Sequence, residues 1–102
     1  MSSATTPSTA AYLDLNAFQR DILWQLLNLD GAEYGLAIKE ALEASGYAEV
    51  HHGRLYPNLD DLVEDGLVEK SAIDKRTNEY ALTDAAVELL DERQSWERGE
   101  SA

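Results

Sequence analysis

Gly53-Arg54-Leu55-Tyr56-Pro57-Asn58-Leu59-Asp60-Asp61-Leu62-Val63-Glu64-Asp65-Gly66-Leu67-Val68 decides how the chain folds. Leu55, Leu59, Leu62 and Val63 recur at helical spacing, so the stretch predicts a helix with one buried side. Gly66 stops it, and Leu67-Val68 runs on as strand. The other side opens with Arg54, Tyr56 and Asn58 and carries no acid before Asp60. On a chain with twenty acids, an acid-free start bearing a guanidinium fork and an amide reads as a surface kept for an anionic partner. Pro57 is placed in the first turn, where its missing N–H costs no helical bond and its ring stiffens the segment.

Working outward, Asp14 or Asn16 can cap a first helix whose apolar residues Phe18, Ile22, Leu26 and Leu29 recur every three or four positions. Asp30-Gly31 ends it with turn chemistry. A second helix is expected from Tyr34 to Ala44, with Ile38, Ala41 and Leu42 inward, closed by Ser45-Gly46. Tyr47 to His51 is a connection with room for a short edge strand. Downstream, Leu67 to Ile73 and Glu79 to Leu82 read as strands joined by the turn Asp74 to Asn78. Thr83 caps a last helix that begins with Asp84 and carries Ala86, Val87, Leu89, Leu90 and Trp96. The expected fold is mainly α with a small β-hairpin: a winged helix-turn-helix with a three-helix core, a wing and a C-terminal helix. Residues 1–12 are expected to be a mobile tail, 13–83 the winged domain, 84–98 a dimerisation helix and 99–102 a tail.

A chain of 102 residues makes one domain. It has no cysteine, hence no disulfide, thiolate metal site or thiol switch, and its single methionine is Met1. Its start has neither the basic segment nor the apolar run of a signal peptide, and nothing approaches the ~20 apolar residues that span a bilayer. A soluble cytoplasmic protein with no membrane partner is expected. Eight Lys/Arg against twenty Asp/Glu give a net charge of −12. A nucleic-acid binder is ordinarily basic, but a dense acidic shell also keeps proteins hydrated in molar salt. Adaptation to high salt is the favoured reading, so what matters is where the cations sit: Arg54 on the recognition segment, Lys70 on the next strand, Lys75 and Arg76 at the hairpin tip. No catalytic triad, phosphate-cradling loop or metal motif is present, so neither an enzyme nor a cofactor is expected. His51-His52 could bind a metal or sense pH, but no third ligand stands at useful spacing, and polar residues at the mouth of a helix is the preferred reading.

The pattern Gly-x-Leu-Tyr-Pro-x-Leu-x-x-Leu-x-x-x-Gly-Leu-Val at 53–68 resembles the recognition-helix signature of PadR-type winged-helix transcription regulators. Tyr34-Gly35-Leu36-Ala37-Ile38-Lys39-Glu40 is similar to the stretch opening that family's second helix. Asp74-Lys75-Arg76-Thr77-Asn78-Glu79-Tyr80-Ala81-Leu82-Thr83 is similar to its wing and the start of its last helix. The motifs stand in the family's order across residues 14 to 98. The likeness is greatest to haloarchaeal members, including a regulator of the response to reactive oxygen. It implies a homodimer on an inverted-repeat double-stranded DNA operator, and a last helix that dimerises through Val87, Leu90 and Trp96. The haloarchaeal His-Gly pair implies that His52 and Gly53 position the backbone near DNA.

Within that frame Arg54 is the first candidate for base readout, since its fork matches guanine O6 and N7; it could instead clamp a phosphate. Asn58 can reach a base edge or a phosphate. The Tyr56 ring can pack on the wing while its hydroxyl touches the DNA backbone. Tyr34, at the start of the second helix, is expected at a phosphate, as are Asn16, Gln19 and Arg20 at the start of the first. Lys75, Arg76, Thr77 and Asn78 suit phosphate contact, with Arg76 the candidate for a minor groove. Two alternatives stand beside this. One is a ligand-responsive repressor with an aromatic pocket at Trp96, although packing of Trp24 in the core and Trp96 across a dimer is preferred. The other is a winged-helix protein-interaction module that does not bind DNA.

Overall fold

In a computed structural model, which describes residues 9–100, the elements run α1 (Thr9–Asp14), α2 (Ala17–Leu29), β1 (Glu33–Tyr34), α3 (Gly35–Ala44), α4 (His52–Glu64), β2 (Val68–Ala72), β3 (Asn78–Leu82) and α5 (Asp84–Glu97). Asn16 is the cap of α2: its side chain accepts the Gln19 N–H at 2.7 Å while Gln19 Oε1 accepts the Asn16 N–H at 3.1 Å. This reciprocal pair satisfies two N–H groups that a helix start leaves open. Thr83 caps α5 by accepting the Ala86 N–H at 3.1 Å. Gly66, at φ 78°, closes α4 in the left-handed region, where a side chain would be strained.

The apolar stripes meet in one core. Ile22, Leu23 and Leu26 of α2 lie against Ile38 and Leu42 of α3, Leu55, Leu59 and Leu62 of α4, and Leu89 and Leu90 of α5, all buried. The sheet closes one side, with Tyr80 of β3 buried beneath it. Its order is β1-β3-β2, all antiparallel, with Lys70 opposite Tyr80 in the hairpin and Tyr34 opposite Glu79 at the other edge.

Five expectations change. The wing hairpin is part of a three-stranded sheet, because Glu33–Tyr34 pairs with β3; no strand forms between Tyr47 and His51. Residues 9–12 of the expected mobile tail are helical, and Tyr12 is 4% exposed. Arg20 holds that helix down, donating to the Tyr12 and Leu13 carbonyls at 3.2 and 2.8 Å, and Trp24 Nε1 donates to the Tyr12 hydroxyl at 3.1 Å. The rest of that tail, 1–8, and residues 101–102 lie outside the described residues. Pro57 falls in the second turn of α4, since the helix begins at His52, so the Gly53 carbonyl loses the N–H that an ordinary residue at 57 would offer. Gly53 is exposed, so solvent can reach that carbonyl. Finally, Leu90 is fully buried within the protomer and cannot serve an interface with a second copy. No described helix is long and apolar enough to cross a membrane.

Candidate nucleic-acid interface

The turn between α3 and α4 is set by one carboxylate. Glu43 Oε2 accepts the Val50 N–H at 2.9 Å and the Lys39 ammonium at 2.9 Å. Val50 itself is fully buried, so the chain enters α4 from a fixed point. The Val50 N–H and then Lys39 hold the Glu43 carboxyl below the usual glutamate range. Its stabilising effect is therefore complete above the unfolded value of about 4.3 and is lost as pH falls through the lower folded value. Glu43→Gln, which keeps an acceptor for Val50 but no charge, should remove this share of the acid sensitivity. Melting curves of both proteins between pH 3 and 6 should converge at the acid end. A constant gap across that range would show that Glu43 does not titrate with folding.

From that point α4 buries Leu55, Leu59 and Leu62 and turns His52, Gly53, Arg54 and Pro57 outward. Arg54 does not hang free. Its guanidinium carbon sits 4.0 Å from the Phe18 ring centroid and 5.4 Å from that of Tyr47. The two rings meet edge to face at 5.4 Å, and the Tyr47 hydroxyl donates to Asp21 at 2.5 Å. Burial and then the Asp21 hydrogen bond push the Tyr47 phenol up, so the ring stays neutral beneath the cation. Asn58 Oδ1 accepts from Gln19 and Asn16, which ties α4 to the start of α2.

The wing is braced on its own backbone. Asp74 accepts the Arg76 N–H at 2.8 Å, and hydrogen bonds from Arg76 and Thr77 hold its carboxyl below the ordinary range. The Ile73 N–H donates to the Thr77 carbonyl at 2.8 Å, so Lys75 and Arg76 project from a closed turn. Arg76, Thr77 and Asn78 share a cleft with Tyr34, Tyr56 and Tyr80, which brings wing and recognition helix together. The Tyr56 ring lies 6.4 Å from Tyr80 and 5.5 Å, edge to face, from His52. Packing on the wing side is thus what this tyrosine does.

Not every candidate joins this face as expected. Arg20 points its guanidinium at α1 carbonyls, so its donors serve the fold. Gln19 is 8% exposed and occupied by the cap and Asn58. Lys70 pairs with Asp60 of α4 at 3.3 Å. His51 is exposed, 4.0 Å from Glu49, and among the described residues no group of three or more His, Cys, Asp or Glu could hold a metal. The Phe18–Tyr47 platform was not readable as functional from the sequence, and Asn16, Gln19 and Asn58, each a candidate by itself, gave no sign there that they meet. Both groups join residues far apart in the chain, and Phe18 carried only a core signal.

The eight cations sort cleanly. Lys39, Lys70, Arg93 and Arg98 pair with carboxylates, and Arg20 is spent on carbonyls. Among the described residues Arg54, Lys75 and Arg76 alone have side-chain charges engaged by neither carboxylate nor backbone oxygen. All three are exposed and stand on α4 and the wing. A helix-turn-helix of α3 and α4 followed by a hairpin with its unclaimed cations there defines a winged helix-turn-helix DNA-binding protein.

Residues 23–92 match the model of the transcriptional regulator PadR-like family, and the chain belongs to that family. It is a DNA-binding transcription regulator and not an enzyme. It is similar to RosR of H. salinarum. In the complex hsRosR-S1 that chain is 55% identical, with a TM-score of 0.80 over 86% of this chain and 77% of the other. In a RosR structure grown from NaBr the identity is 60% and the TM-score 0.68, over 80% and 76% of the two chains. A cysteine-to-serine mutant of MarR from E. coli, complexed with operator DNA, shares the fold at a TM-score of 0.65 and 24% identity, over 86% of this chain and 59% of the other. No curated protein sequence matches the chain.

Proposed function

We propose that two copies of this chain bind an inverted-repeat operator in concentrated salt in the cytoplasm, each laying α4 in a major groove with its wing on the flanking backbone. The observation that carries this is the placement of Arg54, Lys75 and Arg76, their charges unclaimed within the protomer on a chain of net charge −12. Half-sites about one helical turn apart, ~34–36 Å, follow from two-fold symmetry. Arg54 and Asn58 face the bases or the strand beside them. Tyr34, 47% exposed at the start of α3, and Asn16 flank them, with His52, Lys75, Thr77 and Asn78. A Cβ at Gly53 would meet nothing within 4 Å, so the fold does not require glycine there, and its lack of a side chain leaves α4 open to close approach by DNA. Val87 and Trp96, 42% and 60% exposed on α5, are the proposed contacts between copies. Likeness to RosR supports a role in the response to reactive oxygen, and with no cysteine the signal would not be read by a thiol of this chain.

Selection of bound duplexes from a random pool in molar KCl, with the mass of the complex measured by sedimentation, tests the proposal. Recovery of a two-fold symmetric site by a dimer supports it, and a protein that enriches no sequence contradicts it. Arg76→Ala should weaken all sequences alike, by about 1 kcal/mol or less for an exposed charge, and lower the salt slope by about one. A shifted base preference would show that Arg76 reads sequence instead.

A further inference from the structure

Three side-chain amides meet where α2 begins and α4 passes it, and each is oriented by a backbone group that can play only one part. Asn16 Oδ1 accepts the Gln19 N–H at 2.7 Å, so the Asn16 NH2 faces away from the cap. Gln19 Oε1 accepts the Asn16 N–H at 3.1 Å, which leaves Gln19 Nε2 as the free end. Asn58 Nδ2 donates to the Arg54 carbonyl at 2.8 Å. A carbonyl cannot donate, so turning the Asn58 amide over would set two acceptors against each other. Asn58 Oδ1 therefore faces α2, where it accepts from Gln19 Nε2 at 3.0 Å and from Asn16 Nδ2 at 3.2 Å. An amide oxygen has two lone pairs, and both are taken. One N–H is all that Asn58 has left to offer.

We propose that Asn58 meets DNA only as a hydrogen-bond donor, and that Gln19 is the positioning residue that holds it in that polarity. The inference rests on, and deepens, the reading of α4 as the recognition helix. An asparagine free to use both ends pairs with N6 and N7 of adenine together. Asn58 cannot, because its acceptor end is committed inside the protein. It takes a single acceptor, which is a purine N7, a guanine O6, a thymine O4 or a phosphate oxygen, and it does not recognise the amino group of cytosine or adenine. Gln19 is 8% exposed with both ends of its amide bonded, so it acts through Asn58. Gln19→Glu isolates this role. Glutamate suits the third position of a capping box and keeps an oxygen for the Asn16 N–H, but sets its other oxygen against Asn58 Oδ1. The Asn58 amide can then keep its bond to the Arg54 carbonyl only against that oxygen, or turn to donate inward and lose the bond, so its polarity is no longer fixed.

Binding of the wild-type protein and Asn58→Ala to the selected operator is measured with single-atom changes in the duplex. One set removes acceptors: purine N7, guanine O6, thymine O4, or a phosphate oxygen by methylphosphonate. A second set removes the amino groups of adenine and cytosine. One acceptor-deleted duplex should bind the wild type about tenfold more weakly, the worth of one hydrogen bond. The same duplex should bind Asn58→Ala no worse than the unmodified one does. Whether that duplex carries the base change or the methylphosphonate identifies the acceptor. Gln19→Glu should lose this coupling while melting within a few degrees of the wild type. A Gln19 that only supports the fold would weaken every duplex and leave the coupling intact. Coupling between Asn58 and an amino-deleted duplex, or to no duplex at all, overturns the proposal. Failure of the wild-type protein to select any sequence removes instead the reading of α4 on which it stands.

Discussion

Gly35→Ala is expected to destabilise the protein by about 1–3 kcal/mol, the usual range for overpacking a filled site. The sign is the informative part. Alanine at the first position of an exposed helix normally helps, by roughly 0.5–1 kcal/mol over glycine. Here a Cβ would fall against the Tyr56 hydroxyl and within 2.7 Å of Tyr56 Cε1 and Cζ, and Gly35 is itself buried. To make room the half-buried ring must give up its present contacts with His52 at its edge and buried Tyr80 beyond it. Either α3 shifts from α4 or Tyr56 leaves the cleft it shares with Arg76 and Thr77. Each route also disturbs the surface proposed to meet DNA, so affinity should fall with stability. For a chain of this size each kcal/mol moves the melting temperature by roughly 4–8 °C. Tyr56→Phe in the Gly35→Ala background removes the hydroxyl in closest contact and should return part of the loss. A Gly35→Ala protein that melts at or above the wild-type temperature would show that α3 and α4 are not held this close.

How far such contacts are legible in a sequence depends on how local their causes are. α4, its stop at Gly66 and the hairpin were readable because each rests on a nearby signal: the spacing of Leu55, Leu59 and Leu62, a glycine, and turn residues. β1 was not, since two residues become a strand only by pairing with β3, and nothing in Glu33-Tyr34 announces it. α1 was missed for the same reason. It is six residues long and is held by Arg20, Trp24 and Arg93, whose guanidinium lies 5.1 Å from the Tyr12 ring. Leu90 and Trp96 both read as apolar residues of one helix, yet Leu90 is fully buried and Trp96 is 60% exposed. Their spacing could not say which side faced the rest of the protomer. Pro57 was misplaced by a turn because no capping side chain marks the start of α4; its cap residue His51 makes no side-chain cap bond.

The candidate site divides in the same way. That Arg54 and the wing cations stand apart from the acids was visible in an acid-rich chain, because an unopposed cation stands out against that background. What each side chain does with its hydrogen bonds was not. Arg20, Gln19 and Lys70 carry the same chemical groups as the residues left free. Only the contacts with the Tyr12 and Leu13 carbonyls, Asn58 and Asp60 show that they are occupied.

Arg54→Ala should cost about 1–3 kcal/mol of DNA affinity and relax base preference, with the fold nearly intact. The bound on stability comes from the stack. A cation over an aromatic face at an exposed site is worth roughly 0.5–1 kcal/mol, so a larger loss of affinity must come from the DNA. The stack also explains why arginine stands here. With its carbon 4.0 Å from the Phe18 centroid, the guanidinium is held while its N–H donors remain free of protein acceptors. That presents the fork ready-made and reduces the entropy lost on binding. Lysine keeps the charge but has neither the plane nor the fork, so Arg54→Lys separates the two roles. If Arg54 reads guanine, the lysine variant stays weak and stays unselective in competition between operator sequences. Full recovery by lysine, or an equal loss on every sequence, makes Arg54 a phosphate clamp. Either result bears on how so acidic a chain can hold a polyanion. The rings of Phe18 and Tyr47 support the cation from below without neutralising it, as a carboxylate in their place would.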